Sequence, residues 1–498
     1  MCDGRIGTKK SRRRLNKEIV FATTDTDGSR VQFMIHVAVV GAYGSAGVAV
    51  AQRLAEHDAV RLTLIDDGDP GGLCILRGCM PSKAVLSAGA HRHQARVDDR
   101  LVGTPSVDRE RTIERKNAQI SEFAAHRQAA VQALTDASDI TFLQDSARFV
   151  DNRTLAVGDQ RLTPDYIVIA TGSTPSLPDL TGIETVDPTT SSELLERTTF
   201  PDSAVIMGFG AVGVEMAPYL SEVGNVDVTV IEHDERPLDY ADPVYGDELL
   251  DLYEQSFNID IHTQTIERAV EPTDDDGVRL EVTGPDGRYT ITADELFAFT
   301  GRRPALDRLG LETTDMTPSS DWVQPTLQTR SNPQVFVAGD ANGQRPILHV
   351  AKEEGHLAAD NILAHARGDP LTEYTTTPHR VTFAGLGVYP YARIGMTAEE
   401  AAALDRETIV VSRAAADDGV FRVKDAPHGR ATLVVDATDG TVLGYQGLHY
   451  HADVMVKTMQ VAVETGLDVR ELPDRAYHPT TPELLDGLFR AATTRLSA

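Results

Sequence analysis

The sequence predicts an α/β protein in which one β–α–β unit occurs twice and an α+β region follows. Three observations carry that prediction. Val37-Ala38-Val39-Val40 is a short, apolar, β-branched run suited to a buried parallel strand. It leads into Gly41-Ala42-Tyr43-Gly44-Ser45-Ala46-Gly47, a helical stretch from Val48 to Leu54, and a second run, Arg61 to Ile65, that ends at Asp66. The same plan recurs where Ala204-Val205-Ile206-Met207 leads into Gly208-Phe209-Gly210-Ala211-Val212-Gly213, a helix, and Val228 to Ile231 before Glu232. In the last third the pattern changes. Thr432-Leu433-Val434-Val435 and Thr441-Val442-Leu443-Gly444 flank Asp439-Gly440, a hairpin signal, and a helical run from Ala452 to Thr465 stops at Gly466.

Gly47 to Asp66 and Gly213 to Glu232 are both 19 residues. That matches the dinucleotide-binding fingerprint, whose acid lies about 20 residues beyond its glycines. The glycines permit a tight turn and close backbone approach to a pyrophosphate. The helix N-terminus offers N–H groups and positive dipole charge, and the strand-end carboxylate accepts from ribose hydroxyls. Two such units predict two Rossmann-like domains and two dinucleotides, FAD together with NAD or NADP. Aligned on their acids, the copies differ: Ala42 stands where Gly208 stands, so the first turn differs in shape or uses Gly41.

Acidic residues outnumber basic ones 75 to 47, for a net charge of −28, which opposes binding to nucleic acid or an anionic membrane. No run approaches the roughly 18 apolar residues of a spanning helix, so a soluble, cytoplasmic protein without a membrane partner is expected. Only eight of the basic residues are lysine; an acidic, lysine-poor surface suits a halophilic host. Residues 1–33 differ in character, with Lys9, Lys10, Arg12, Arg13, Arg14 and Lys17 forming a basic run. They read as a disordered extension. Ser11-Arg12-Arg13 shares its arginines with a twin-arginine export signal, but no apolar region follows. The three cysteines, Cys2, Cys74 and Cys79, cannot staple so long a chain. A close pair in a reducing compartment points to catalysis. No metal site is expected.

Cys74 and Cys79 are five residues apart. On an ideal helix that offset turns the side chains about 140° apart and separates them by more than about 8 Å, whereas a disulfide needs Cα atoms within about 7 Å. A bridge therefore requires a distorted turn, for which Gly78 and Pro81 are the candidates.

The segment Gly71-Gly72-Leu73-Cys74-Ile75-Leu76-Arg77-Gly78-Cys79-Met80-Pro81-Ser82-Lys83 resembles the redox-active motif of the class I pyridine nucleotide–disulfide oxidoreductase family, of the glutathione reductase and dihydrolipoamide dehydrogenase type. The resemblance spans residues 34–498. Ala170-Thr171-Gly172-Ser173 is similar to the family's flavin-domain crossover, and Thr300-Gly301-Arg302-Arg303-Pro304 to the end of its NAD domain. Val337-Ala338-Gly339-Asp340 is similar to the segment whose Asp contacts the flavin ribitol, and His478-Pro479-Thr480-Thr481-Pro482-Glu483 to the C-terminal His-Pro-Thr-x-x-Glu motif. The implied order is an FAD-binding domain at 34–176, an NAD(P)-binding domain at 177–300, a return to the central FAD region at 301–372, and a dimerisation domain of α+β type at 373–498.

The resemblance implies that Cys74 is the interchange thiol that meets substrate and Cys79 the thiol facing the flavin. Lys83 lies near the flavin and pairs with Glu215 beside the nicotinamide. His478 is the general acid/base, held by Glu483, and reaches the cysteines of the partner in a homodimer. For FAD the resemblance implies Gly41, Ala42, Gly44, Gly47, Asp66, Lys83, Thr171, Gly172, Ser173, Gly339, Asp340 and His349. For the nicotinamide dinucleotide it implies Gly208, Gly210, Gly213, Glu232 and Gly301. Leu76 replaces the family's usual Asn, and Arg77 a usually apolar residue.

Two substrate classes follow. One is a small symmetrical disulfide such as bis-γ-glutamylcystine, whose thiol form serves halophilic archaea in cell redox homeostasis; Arg77 suits its carboxylates. The other is dihydrolipoamide, oxidised with NAD. Glu232 favours this second class because a carboxylate repels a 2′-phosphate, although Arg236 lies four residues further on. Mercuric-reductase-like chemistry is weakened by the lack of a C-terminal cysteine pair. A redox-sensing flavoprotein without turnover is opposed by the joint presence of Cys74, Cys79, Lys83, Glu215, His478 and Glu483.

Overall fold

The computed structural model describes residues 22–24, 30–32, 34–136 and 139–497, and the chain divides into two compact units. The disordered extension expected over residues 1–33 lies outside the described residues, except for Ala22–Thr24 and Arg30–Gln32, which pair as antiparallel strands.

The first unit comprises Met1–Gly68, Ala129–Thr171 and Leu306–Tyr374. Its centre is a five-stranded, all-parallel sheet in the order Val335–Val337, Tyr166–Ile169, Ile35–Val40, Val60–Ile65, Ile140–Leu143. Alternate residues of the central strand feed separate cores. Val37 and Val39 pack with Leu62, Leu64 and Val168 on one face, while Ala38 and Val40 pack with Ile167, Ile169 and Val337 on the other. Both faces are covered, so the strand reads as a continuous apolar run. The helices Ser45–Leu54 and Leu348–Arg367 pack closely on each other. Gly355 makes that approach possible, since a Cβ there would lie 2.6 Å from the Ala46 carbonyl oxygen.

The second unit comprises Asp69–Gln128, Gly172–Ala305 and Thr375–Ala498. The second repeat forms a parallel sheet ordered Asp260–His262, Asp227–Ile231, Ser203–Met207, Glu295–Ala298. The C-terminal region folds as a five-stranded antiparallel sheet ordered His379–Thr382, Tyr391–Gly395, Val442–His449, Gly429–Asp436, Thr408–Ala414. The hairpin closes with Gly440 at φ 84°, and the helix Ala452–Glu464 is followed by Gly466 at φ 64°. Glu483–Leu496 packs on the strands Thr408–Ala414 and Gly429–Asp436. No helix among the described residues is long and apolar enough to cross a membrane.

Gly355→Val drives side-chain carbons into backbone that cannot retreat without separating two helices. The expected cost is about 1–3 kcal/mol, read as a lower urea midpoint. An unchanged midpoint would mean the helices are not held at this distance.

Candidate functional site

The two glycine turns share the same dihedral and contacts at their first and last glycines. Gly41 has φ 95° and Gly208 φ 92°. The Gly41 N–H donates to the Ile65 carbonyl at 2.9 Å and the Gly208 N–H to the Ile231 carbonyl at 3.0 Å. The last glycine of each motif packs on the first: a Cβ on Gly47 would lie 2.1 Å from the Gly41 oxygen, and one on Gly213 2.2 Å from the Gly208 oxygen. Gly41, not Ala42, is thus the counterpart of Gly208. Alignment by the acids misplaces it because the first turn carries one extra residue: Ala42-Tyr43 stands between the first two glycines where the second turn has Phe209 alone.

Both acids close their turns the same way. Asp66 accepts from the Tyr43 N–H at 2.8 Å and the Gly68 N–H at 2.9 Å. Glu232 accepts from the Phe209 N–H at 2.7 Å and the Asp234 N–H at 3.1 Å. Burial raises the Asp66 pKa against those two donors. The helices Ser45–Leu54 and Ala211–Tyr219 start after Gly44 and Gly210 without a side-chain cap, which leaves their dipoles for a phosphate. A Cβ on Gly210 would meet nothing within 4 Å.

In the first unit, the Thr171 hydroxyl oxygen is buried with no partner among the described residues. An orphaned buried hydroxyl in the crossover segment fits a bound group that supplies the missing hydrogen bond. Gly339 and Asp340 start a short 3₁₀ turn, and His349 is an exposed second residue of the helix Leu348–Arg367. The sequence did not point to Glu354, a buried acid whose Oε2 accepts from the Gly339 N–H at 2.7 Å and from Asn342 Nδ2 at 2.9 Å. Burial raises its pKa to about 7. In the second unit, Ser173–Pro175 pairs with Arg302–Pro304, and Arg302 Nε donates to Ser173 Oγ at 2.9 Å. Gly172 and Gly301 both have positive φ with open space where a Cβ would stand.

The thiol segment forms two helices broken between the cysteines. Gly72–Leu76 carries Cys74, Arg77 and Gly78 leave helical geometry, and Cys79 opens the helix Cys79–Val97. Gly78 makes the break. Pro81 does not, because it lies in the first turn of the new helix, where no N–H is needed. Cys79 therefore sits at the positive end of a 19-residue helix. A hydrogen bond from Cys74 and the Lys83 ammonium bring its thiol down to about 7 against burial. The same interaction, with burial, drives Cys74 far above the ordinary thiol range. Of the two thiols, Cys79 is therefore the one that ionises more readily.

Lys83, one turn into that helix, donates to both oxygens of Glu215 at 2.8 and 2.7 Å. Phe383, which no motif flagged, holds the pair from a third side. Its N–H donates to Glu215 at 3.1 Å, and its ring lies 4.5 Å from the Lys83 ammonium. Farther along the same two helical segments, buried Glu222 takes the guanidinium groups of Arg92 and Arg96, the latter at 2.7 Å.

His478 Nδ1 lies 3.0 and 3.2 Å from the two oxygens of Glu483, which also accepts from the Thr480 N–H at 3.0 Å. That backbone donor, then the histidine, lowers the Glu483 pKa. The His478 side chain is 78% exposed.

The pyridine nucleotide-disulphide oxidoreductase model matches residues 35–355, and the model of that family's dimerisation domain matches residues 383–488. The mercuric reductase of Lysinibacillus sphaericus is 29% identical over 461 residues, covering 91% of this chain and 81% of its own. The dihydrolipoyl dehydrogenase of Halobacterium salinarum is 27% identical over 90% of this chain and 94% of its own. Among solved structures, the HOCl-induced flavoprotein disulfide reductase RclA from Escherichia coli aligns with a TM-score of 0.77 at 23% identity, over 91% of this chain and 99% of that one. This last likeness concerns the fold alone.

Two variants separate the possible glycine registers. Gly41→Ala should lose most bound flavin and lower the melting temperature, because its Cβ would stand 2.3 Å from the Ala170 oxygen; Ala42→Gly should change neither. The reverse pattern would return the turn to Ala42. Alkylation of the reduced protein should follow thiolate formation with a midpoint near pH 7, and Cys74→Ala should raise that midpoint. A midpoint that does not move would remove Cys74 as the donor.

Proposed function

The chain belongs to the pyridine nucleotide-disulphide oxidoreductase family, and from that premise we propose that it is a homodimeric, NADH-dependent reductase of a small anionic disulfide. FAD and the nicotinamide cofactor are the family's, and FAD when bound supplies the two-electron relay between nicotinamide and the Cys74–Cys79 disulfide. Gly41, Gly44, Gly47, Asp66, Thr171 and the Gly339-Asp340 segment would hold FAD, within residues 34–176 and 301–372. Gly208, Gly210, Gly213 and Glu232 would hold the nicotinamide dinucleotide within 177–300, and residues 373–498 would form the subunit interface.

The observation that carries the reading is the placement of the two thiols: Cys79 opens a 19-residue helix one turn before Lys83, while Cys74 sits on the short helix before the break. Reduction of the Cys74–Cys79 disulfide by two electrons and one proton leaves a Cys79 thiolate and a Cys74 thiol. Cys74 must lose its proton before it can attack. His478 of the partner subunit, its ring held by Glu483, is the base. The Cys74 thiolate then attacks one substrate sulfur, and the departing thiolate takes the proton back from that imidazolium. Cys79 attacks Cys74 in the mixed disulfide, the internal disulfide re-forms, and the second substrate thiolate leaves and takes up a proton. The net reaction consumes NADH, one proton and one disulfide, and yields NAD and two thiols.

Cofactor choice and substrate charge rest on two local facts. Arg236, the cation nearest in sequence to Glu232, is engaged by Asp247 at 2.5 Å and Glu235 at 2.9 Å, so the Glu232 carboxylate faces a 2′-phosphate uncompensated. Arg77, beside the dithiol in sequence, is exposed with no carboxylate partner among the described residues, and a guanidinium so placed attracts a carboxylated disulfide. The runner-up, NAD-dependent oxidation of dihydrolipoamide, uses the same residues in reverse and is favoured by the same Glu232 geometry. The acidic, lysine-poor composition suits work in a salt-rich cytoplasm.

Steady-state rates with bis-γ-glutamylcystine, lipoamide and Hg(II), each with NADH and NADPH, test the reading. The disulfide with NADH should give the highest kcat/KM. Preference for NADPH would overturn the cofactor assignment, and preference for lipoamide the substrate class. His478→Ala should slow disulfide reduction by about 10²- to 10⁴-fold, the range for losing an acid/base group. A rate like that of the unaltered protein would remove His478 from the site.

A further inference from the structure

The loop that carries His478 is tied to a residue whose backbone is held in an uncommon conformation. His451 precedes the helix Ala452–Glu464 with φ 68° and ψ 20°, in the left-handed region. Histidine tolerates this region better than most residues, but glycine is its ordinary occupant. Neighbouring contacts hold it there. His449 is fully buried and neutral, its pKa pushed down by burial to about 4. Its Nε2 lies 2.9 Å from the Tyr445 hydroxyl, and its Nδ1 donates to the Tyr450 carbonyl at 2.9 Å. The Tyr450 ring stacks on the His451 ring with centroids 3.8 Å apart. The His451 ring so placed brings Nδ1 to 3.2 Å from the hydroxyl of Thr481, which is itself buried. Thr481 is the residue after Thr480, whose N–H fixes Glu483, and its carbonyl accepts from the Leu484 N–H at 3.2 Å.

We infer that His451 is a positioning residue, holding Thr481 by its ring nitrogen so that the His478–Glu483 pair is presented to substrate. The inference rests on the reading of His478 as the acid/base. A segment held in a sparsely populated conformation persists only where its surroundings determine it, and such segments gather at functional sites. Were His451 there only to turn the chain, glycine would do so with less strain and no ring. The ring is what reaches the loop.

His451→Gly relieves the backbone and removes the ring, Thr481→Val removes the hydroxyl at nearly constant volume, and Thr481→Ser restores it. In the purified flavoprotein, rapid mixing separates reduction by NADH from reoxidation by disulfide. His451→Gly and Thr481→Val should each slow reoxidation about ten-fold, the scale of one lost hydrogen bond. The double variant should be no slower than either single one, Thr481→Ser should regain most of the rate, and reduction by NADH should be unchanged. Reoxidation at the original rate in both single variants would overturn the inference, as would multiplied effects in the double variant, equal slowing of both half-reactions, or no recovery with serine. His478→Ala serves as the control. If it too reoxidises normally, the acid/base reading has failed; if it is slow while His451→Gly is not, the positioning role alone has.

Discussion

An ammonium and a carboxylate, Lys83 and Glu215, fix how the thiol-bearing helix stands against the helix of the second glycine motif. Both oxygens of Glu215 are taken by Lys83 and one also by the Phe383 N–H, so the pair is satisfied on several sides in a partly buried place. A pair of this kind contributes little net stability over an apolar equivalent, yet removing one member leaves a charge without compensation. Its value is geometric. Farther along, Glu222 with Arg92 and Arg96 ties the same two segments again, so they run side by side in the same direction. Their positive dipole ends lie together: one helix opens at Cys79, and the other begins after Gly210.

The dithiol owes its asymmetry to this arrangement. Two thiols in hydrogen-bonding contact cannot both ionise cheaply, because like charges at that distance repel. Position decides which one does. Cys79 has the helix start and the Lys83 charge, whereas Cys74, on the short helix before the break, has neither to the same degree and donates its proton inward. A thiol shifted upward and a thiol shifted downward are therefore built into one segment by a single interruption at Arg77-Gly78.

The two glycine turns show how a shared constraint tolerates an insertion. In each, a left-handed glycine receives the strand and hands it to a helix, and an acid 24 residues or so beyond holds the turn through a backbone N–H. The extra residue of the first copy is absorbed before that N–H, so the glycine contacts at both ends survive and only the spacing between them changes. Tyr43 is buried against Phe142 with ring centroids 5.0 Å apart, which gives the lengthened turn an apolar anchor that Phe209 supplies in the second copy by packing on Tyr253 at 5.4 Å.

The repeated unit, the acid at each strand end, the broken cysteine segment and the C-terminal hairpin are legible in the residues alone, and the His478–Glu483 pair through the family resemblance. Each of these is written in residues a few positions apart, where strand period, glycine freedom and side-chain reach act locally. That Gly41 rather than Ala42 makes the first turn is legible only in the folded chain, because the deciding contact is with the Ala170 carbonyl, far along the sequence. Folding likewise sets Glu354 on Gly339, Phe383 on the Lys83–Glu215 pair, Asp247 on Arg236 and His451 on Thr481. Those partners are separated by between 11 and 168 residues, and nothing in a buried glutamate, a lone phenylalanine or a histidine before a helix says what it will face once the chain has closed on itself.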